Sequence, residues 1–228
     1  MADLASDLAS DLGVGPEAPY DCPLCPRLVA FRADQRAAHP TWFNGPVTSF
    51  GDPAARLLIV GLAPGLRGAN RTGRPFTGDF AGDLLYRTML DFGFAAGAYG
   101  ASPDDSLVLV DAAIANAVRC VPPENKPTPA EIRTCNQFLP PAFAEMPRLS
   151  AIVALGRIAH DAVAISLGAK RARIPFAHSA VHKATDKLTL FDSYHCSRYN
   201  TNTGVLTPEM FRAVFRNVRA HLDRTATP

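Results

Sequence analysis

The chain has 228 residues, of which 47% are hydrophobic and 19% are charged, and its formal net charge is +2. This length and composition are typical of one globular domain with a full hydrophobic core, and they exclude a disordered chain. No apolar run approaches the roughly 20 residues of a membrane-spanning helix, and the nearly balanced charge neither favours nor excludes a nucleic acid partner.

The first residues predict a short leader in front of one domain. The segment MADLASDLASDLG repeats Asp-Leu-Ala-Ser and lacks the basic start and the long apolar core of a secretory signal. We therefore expect residues 1–18 to form a flexible or helical leader and residues 19–225 to form the domain. The same features lead us to expect a cytoplasmic protein.

Apolar runs of strand length alternate with segments of helical periodicity. The predicted strands are ARLLIVG at 55–61, a run within SLVLVDAAIANAVRC at 106–120, LSAIVALG at 149–156 and LTLFDSYH at 188–195. The predicted helices lie in DFAGDLLYRTMLDFGF at 79–94, TPAEIRTCNQFLPPAFAEM at 128–146, RIAHDAVAISLG at 157–168 and TPEMFRAVFRNVRAHL at 207–222. Thr-Pro at Thr128 and Thr207 is typical of a helix start, and Gly168 is typical of a helix end.

This alternation predicts an α/β fold in which helices cover both faces of a parallel sheet. Ligands of such folds bind beyond the carboxyl ends of the strands. Three unusual loops, Gly61–Asp79, Asn116–Lys126 and His195–Gly204, follow predicted strands. They therefore indicate one site that is built from three segments.

The first loop, GLAPGLRGANRTGRPFTGD, lacks the ending of a P-loop and the glycine spacing of a dinucleotide-binding fingerprint. Its glycines allow the backbone to approach a planar ligand closely, with Phe76 as a stacking face. Asp79 is either a carboxylate of the site or only the cap of the following helix. Arg67, Arg71 and Arg74 form either a rim that faces phosphates or an ordinary solvated loop.

The other two loops carry polar groups whose individual meaning stays open. Asn116 taken alone is a buried amide, and a histidine directly after a strand, such as His195, often has only a structural role. Ser197, Tyr199 and Asn200 also fit an ordinary turn. Only the combination of the loops indicates a shared site.

The five cysteines fall into two groups. Cys22 and Cys25 form a CPLC pair, and Cys120 and Cys135 follow far downstream. Four thiolates can hold tetrahedral zinc or an iron–sulfur cluster, and the wide spacing of the second pair favours the cluster. Ordinary buried thiols or a redox pair are the alternatives without a metal. Cys196 lies in another motif, and we do not expect it to be a ligand.

The motifs GLAPG, GANRTGRPFTGD, NAVRC with PPENKP, and His-x-Ser-x-x-Asn, together with the four spread cysteines, resemble the iron–sulfur branch, family 5, of the uracil-DNA glycosylase superfamily. The resemblance runs from Cys22 to about Gly204. It implies an α/β/α sandwich around a four-stranded, mostly parallel sheet. It also implies a structural [4Fe–4S] cluster on Cys22, Cys25, Cys120 and Cys135.

The resemblance implies roles for the loop residues as well. Asn116 matches the amide that reads the base edge, His195 the histidine that faces the leaving base, and Asp79 the family 5 aspartate, so these three are the catalytic candidates. The substrate contacts implied are Gly61, Leu62, Ala63, Pro64, Gly65, Gly68, Asn70 and Phe76. The DNA contacts expected are Arg67, Arg71, Cys196, Ser197, Arg198, Tyr199 and Asn200.

Two positions shape these expectations further. Leu62 stands where family 4 relatives carry an acidic residue, which leads to the hypothesis that Asp79 has that role here. Cys196 stands where the family usually has proline, so we expect a less rigid loop at 196–200. This loop is the expected wedge into DNA, with Arg198 or Tyr199 at its tip.

The function implied is a monofunctional DNA glycosylase of base-excision repair. It would act as a nucleoid-associated monomer on uracil, and also on hypoxanthine and xanthine, in double- and single-stranded DNA. A lyase step lacks a nucleophile, because Lys126 is the only lysine in the three loops. The alternatives are a non-catalytic or covalently trapping uracil-DNA-binding protein, which the basic stretch KRARIPFAHSAVHKATDK would suit, and a redox-active cluster protein.

Overall fold

The computed structural model describes residues 15–225. In this range the strands are β1 (Phe50–Gly51), β2 (Leu57–Gly61), β3 (Ala95–Ala96), β4 (Val108–Leu109), β5 (Ala112–Asn116), β6 (Ala151–Leu155), β7 (Val181–Lys183) and β8 (Thr189–Ser193). The α-helices are α1 (Pro26–Ala38), α2 (Ala69–Thr72), α3 (Phe80–Asp91), α4 (Pro129–Cys135), α5 (Leu139–Ala144), α6 (Arg157–Ser166), α7 (Arg198–Asn202) and α8 (Pro208–Thr225). Short 3₁₀ helices lie at Pro123–Asn125, Asn136–Phe138 and Arg171–Arg173.

The central sheet has six strands, in the order β1-β5-β2-β6-β8-β7. The inner strands β5, β2, β6 and β8 run parallel, whereas β1 and β7 pair antiparallel at the two edges. β3 and β4 form a separate two-stranded sheet. The predicted sheet of parallel strands is therefore confirmed, with a short antiparallel strand added at each edge.

Alternate residues of the inner strands face two helical layers. Leu57 and Ile59 pack in one layer with residues of α3 and α8, whereas Leu58 and Val60 pack in the other with residues of α5 and α6. All residues of β2, β5 and β6 are buried, as expected for parallel strands that helices cover on both faces. The predicted α/β/α sandwich is confirmed. No helix in the described range is both long and apolar enough to cross a membrane.

The predicted helix boundaries follow the local chemistry of the chain. Thr128 Oγ1 accepts from the N–H of Glu131, whose carboxylate accepts from the N–H of Thr128, and a threonine hydroxyl also caps α8. The segment after α4 passes through a 3₁₀ turn into α5, because Pro140 and Pro141 have no N–H with which to continue an α-helix. Gly168 follows α6 with φ of +64°, as its prediction as a helix end requires.

The start of the described range packs against the domain. The Pro16 carbonyl accepts from Arg119 Nη2 at 3.1 Å, and Glu17 Oε1 accepts from the N–H of Ser49 at 3.0 Å. Residues 16 and 17, which the sequence assigned to the leader, therefore contact the domain. Residues 1–14 of the predicted leader lie outside the described range.

Arg74 lies beneath the first loop and not on its rim. Its guanidinium donates two hydrogen bonds of 2.8 Å to the Asp105 carboxylate and one of 2.7 Å to Oγ1 of Thr77. Both side chains of the ion pair are buried, and the hydrogen bonds from Arg74 hold the pKa of Asp105 well below its usual range. Both interpretations of Arg74 from the sequence, a phosphate contact or a solvated side chain, are wrong because a partner far along the chain holds it inside.

Replacing Asp105 with asparagine should destabilise the protein by about 3 kcal/mol, because the buried guanidinium loses its counter-charge. Since folding lowers the pKa of Asp105, this stabilisation is present above about pH 4 and is lost as the pH falls below that value. Urea unfolding of both proteins at neutral and acidic pH measures the effect.

The matched control is Glu124→Gln, which removes the exposed partner of Lys126 and should leave the unfolding midpoint unchanged. Equal midpoints for Asp105→Asn and the unmodified protein at neutral pH would contradict a structural role for the buried pair.

Candidate active site and cysteine lobe

The first two loops leave the sheet side by side. Gly61, at the end of β2, pairs in register with Asn116, at the end of β5. Beyond the strands, the N–H groups of Ala117 and Val118 donate to the carbonyl oxygens of Gly61 and Leu62, both at 2.9 Å. This pairing continues the ladder into the loops, so that both loops open at one point of the sheet edge.

Gly61 is the point at which predicted site side chains meet. A Cβ atom at this position would lie 2.5 Å from Oδ1 of Asn116 and 2.6 Å from Cζ of Phe76, so the close approach requires glycine. Phe76 is buried with φ of +53°, and its ring centroid lies 6.1 Å from that of His195, with 29° between the ring planes. The structure thus brings residues of all three loops together.

Asn116 presents a polar atom that lacks a protein partner. Its Oδ1 is buried and has no hydrogen-bond donor among the described residues. A buried polar atom without a partner costs about 1–3 kcal/mol, and such atoms are nearly always paired. A ligand with an N–H group would remove this cost, so the amide is suited to bind one.

Asp79 is both a helix cap and a partly buried carboxylate. Its Oδ1 accepts from the N–H of Gly82 at 3.1 Å at the start of α3, so the capping interpretation is confirmed. Its Oδ2 lies against the first loop, since Cβ atoms at Gly65 and Gly68 would be only 3.1 and 2.5 Å from it. Burial raises the pKa of Asp79. The carboxyl group therefore faces inward, against the loop that approaches the other site residues.

His195 follows β8 and is neutral near physiological pH, because burial lowers its pKa to about 4. Its backbone carbonyl accepts from Nδ2 of Asn200 at 2.8 Å. On its other side passes the backbone of Gly156, where φ is +95° and a Cβ atom would lie 3.5 Å from Cβ of His195. The backbone and Cβ of His195 are therefore held between the third loop and the turn after β6.

A cavity of about 360 Å³ lies beside His195. Leu62, His195 and Asn200, which are among the predicted site residues, form part of its lining. The rest of the lining comes from other segments: Leu155, Gly156, Arg157, Ile158, Phe176 and Tyr194. Gly156 was not among the predicted site residues, although it directly follows a predicted strand and so lies at the same sheet edge. No sequence pattern marks the two aromatic residues.

Cys196 is turned away from the surface on which DNA was expected. It is fully buried, and its thiol donates a hydrogen bond of 3.5 Å to the carbonyl of Ala81 in the first turn of α3. Burial also raises the pKa of this thiol, so that it stays protonated. The expected DNA contact of Cys196 is therefore wrong. Where a less rigid loop was expected, the thiol ties the loop to a helix.

The exposed part of the third loop is the short helix α7. Ser197 caps it, since its hydroxyl accepts from the N–H of Asn200. Arg198 lies over the ring of Phe80, with Cζ 5.1 Å from the ring centroid, and is exposed. Tyr199 is 73% exposed. Of the two residues expected at the tip of the wedge, Tyr199 is the one with an exposed aromatic ring.

Of the remaining predicted residues of the first loop, some are exposed at the surface and others lie in the interior. Arg67 and Arg71 are exposed, with Arg71 Nε donating to the Arg67 carbonyl at 2.9 Å. Asn70 is fully buried and donates through Nδ2 to Oδ1 of Asn44 at 2.9 Å, so it lies beneath the loop and not at the cavity. Pro64 is buried, and Ala63 packs towards the cysteines.

The four cysteines predicted as ligands converge on one small apolar cavity. Cys22, Cys25, Cys120 and Cys135 line it together with side chains of α1 and of the 3₁₀ turn after α4. We call these four residues and their apolar neighbours the cysteine lobe. Cys196 lies outside the lobe, in the layer that contains α3 and α8. The grouping of four cysteines apart from the fifth agrees with the expectation from the sequence.

Hydrogen-bond donors point at the sulfur atoms of the lobe. Nη1 of the buried Arg32 lies 3.5 Å from Sγ of Cys120, and the backbone N–H of Arg119 lies 3.2 Å from Sγ of Cys135. Burial raises the pKa of Cys120 to about 11 and that of Cys135 to about 12. These thiols would therefore need a cation that replaces their protons before they became thiolates.

Comparison with known proteins shows the family of this chain. Residues 48–219 match the family described as the uracil DNA glycosylase superfamily. The chain is 44% identical over 204 residues to a type-5 uracil-DNA glycosylase of Thermus thermophilus. The aligned region covers 87% of this chain and 92% of that protein. It is 39% identical over 204 residues to a type-5 uracil-DNA glycosylase of Pyrobaculum aerophilum, and the aligned region covers 88% of each protein.

A type-4 uracil-DNA glycosylase of Archaeoglobus fulgidus is 35% identical over 114 residues, which cover 50% of this chain and 49% of that protein. The type-5 relatives therefore match over much more of the length. The resemblance that the motifs predicted is confirmed, and this chain belongs to the uracil DNA glycosylase superfamily.

Proposed function

We propose that this protein is a monofunctional DNA glycosylase, which hydrolyses the bond between uracil and deoxyribose in DNA. The observation that carries the proposal is the meeting of Gly61, Phe76, Asn116 and His195 at the edge of the sheet in a member of this superfamily. A flipped pyrimidine needs a stacking face, a polar reader of its edge and a group that stabilises the departing base. These residues offer all three.

Base recognition falls to Asn116 and Phe76. The carboxamide of Asn116 has an acceptor oxygen and a donor nitrogen, which match the N3–H and O4 of uracil. Its Oδ1 has no partner among the described residues, so binding the N3–H would satisfy an atom that is otherwise unpaired. The ring of Phe76 would stack on the base.

Bond cleavage places negative charge on the departing base and positive charge on the sugar, and rate is gained only from groups that favour those charges. The neutral His195 would donate a hydrogen bond to a carbonyl oxygen of the base as that oxygen becomes negative. An ionised Asp79 would stabilise the sugar and orient the attacking water. Leu62 has no group for this task.

The base can enter the site only after it has left the base stack of the DNA, and this step costs a few kcal/mol. We propose that Tyr199, at 73% exposure, fills the vacated space in the duplex. Arg67, Arg71 and Arg198 are exposed and would contact phosphates, which positions the DNA without reading its sequence. Ser197 would contribute through the capped start of α7.

We further propose that the cysteine lobe holds a [4Fe–4S] cluster. A single zinc ion would bring its sulfur ligands to about 3.8 Å from one another, because Zn–S bonds are about 2.3 Å long. Among the described residues no three cysteine sulfurs lie within 4.8 Å of one another, a spread that suits a larger group. A bound cluster would cross-link distant segments of the chain, and we assign it no step of the hydrolysis.

Asp79→Asn should lower the single-turnover rate of uracil release at least about 100-fold, because the carboxylate charge is lost. Asparagine caps helices as well as aspartate does, so the melting temperature should change little. Since the pKa of Asp79 is raised and its ionised form is the active one, the wild-type rate should fall as the pH drops through that pKa.

The matched control is Asp83→Asn, which removes an exposed charge from the same helix and should keep the wild-type rate. A near-normal rate for Asp79→Asn would refute the role of Asp79. If the residual activity of Asp79→Asn still fell at low pH, the fall would be due to titration of another group.

The base range is the second prediction of the proposal. Leu62 places an apolar group at the cavity, where a strict uracil pocket would use a polar one, so release of hypoxanthine and xanthine should accompany release of uracil. Purified protein is incubated with duplexes that contain each base, and free base is quantified. Release of uracil alone would refute the broad range, and a denaturant-resistant complex without free base would favour a trapping protein.

Cys135→Ser should abolish the iron, the acid-labile sulfide and the brown colour that the cluster predicts for the purified wild-type protein. Cys196→Ser is the matched control, since it alters an equally buried thiol outside the lobe and should keep all three. Iron and sulfide analysis with an absorption spectrum checks both variants. Equal iron in the two variants, or zinc in place of iron in the wild type, would refute the cluster.

A further inference from the structure

A second group of ligand-type side chains lies behind the candidate active site. His160 of α6, His182 of β7 and Asp192 of β8 meet between these elements, and we call them the His–Asp–His group. Nδ1 of His160 is 2.7 Å from Oδ1 of Asp192, and Nε2 of His182 is 3.3 Å from Oδ2 of the same carboxylate. None of these residues belongs to the cavity or to the cysteine lobe.

His160 and Asp192 share one proton. Nδ1 of His160 faces Oδ1 of Asp192 at hydrogen-bond distance, and a carboxylate can only accept, so the shared proton lies between these two atoms. A metal ion bound by both groups would replace this proton, because a metal ligand offers a lone pair.

The charge balance around Asp192 also favours a bound cation. Its carboxylate is fully buried, and the ion pairs formed by Asp192 within the described range are both with these two histidines. A buried carboxylate requires a positive partner or a metal ion. Two imidazole nitrogens and one carboxylate are also a ligand set that zinc commonly uses.

We propose that Nδ1 of His160, Nε2 of His182 and the carboxylate of Asp192 bind a zinc ion. The three ligand atoms lie within 4.8 Å of one another, and tetrahedral zinc would set each pair about 3.4 Å apart. The 2.7 Å contact between His160 and Asp192 would therefore lengthen by about 0.7 Å. His182 lies on an edge strand and can shift to complete the set. The side chain of His182 is 13% exposed, so water can complete the coordination.

The neighbours of the group fit this assignment. The nearby His178 is not a ligand, since its Nδ1 accepts from the N–H of Tyr194 at 3.1 Å and its ring stacks on that tyrosine. A metal ion here would tie β7, β8 and α6 together three residues before His195, and so would fix the strand that carries it.

The test uses full-length protein that has its iron content verified, so that the cysteine lobe is not vacant. Zinc chloride is added, excess is removed, and bound zinc is measured along with the melting temperature. We expect about one zinc ion per chain and a rise in melting temperature of roughly 5–10 °C at saturation. His182→Gln should lose both effects and keep its iron, because the glutamine amide still donates to Asp192 but is a poor zinc ligand.

His39→Gln is the matched control, since His39 stacks on Trp42 outside the group and its replacement should leave zinc binding unchanged. X-ray absorption at the zinc edge of the wild-type protein provides a second measurement that needs no variant. A shell of nitrogen and oxygen with imidazole scattering supports the site. Sulfur neighbours at about 2.3 Å, no zinc uptake by the wild type, or equal uptake by His182→Gln would overturn it.

Discussion

The arrangement of the site depends on the absence of a side chain at Gly61. Phe76 and Asn116 both occupy the space that a Cβ atom would take there, at 2.6 and 2.5 Å, and a methyl group would force both away. The same residue pairs with Asn116 across the neighbouring strands β2 and β5, so both loops begin at the same level of the sheet. The stacking ring, the unpaired amide and the histidine ring beside them all follow from this one contact.

The cysteine lobe supports that contact from the side. Val118, which donates to the Leu62 carbonyl, is part of the lobe, and Ala63 packs against it. A second connection runs from the end of α1 through Asn44, whose Nδ2 donates to the His39 carbonyl at 2.7 Å and whose Oδ1 accepts from Asn70. The lobe therefore contacts the first loop near its start, and α1 is linked through Asn44 to the middle of the loop. A metal group bound in the lobe would stiffen a loop with which it shares no ligand.

The sequence sufficed where the signal is local. Apolar runs marked all four inner strands, and Thr128 marked a helix start, because burial on both faces and a capping hydroxyl leave a pattern within a few residues. The edge strands β1 and β7 are short and partly exposed, so they leave none. Arg74 and Cys196 were misjudged because their partners, Asp105 and the Ala81 carbonyl, lie 31 and 115 residues away along the chain. The loops that the motifs marked do meet at the sheet edge, whereas Gly156, Phe176 and Tyr194 line the adjacent cavity and belong to no recognisable motif.

The hydrogen bond from Cys196 to Ala81 has a mechanical consequence. The third loop and the first turn of α3 are joined at this bond, and Asp79 caps the same turn. In the proposed complex, force from the DNA on the exposed Tyr199 would pass into a helix that spans twelve residues and rests on the sheet. His195 and Asp79 would then be displaced together, and the spacing between them would be kept while the duplex opens.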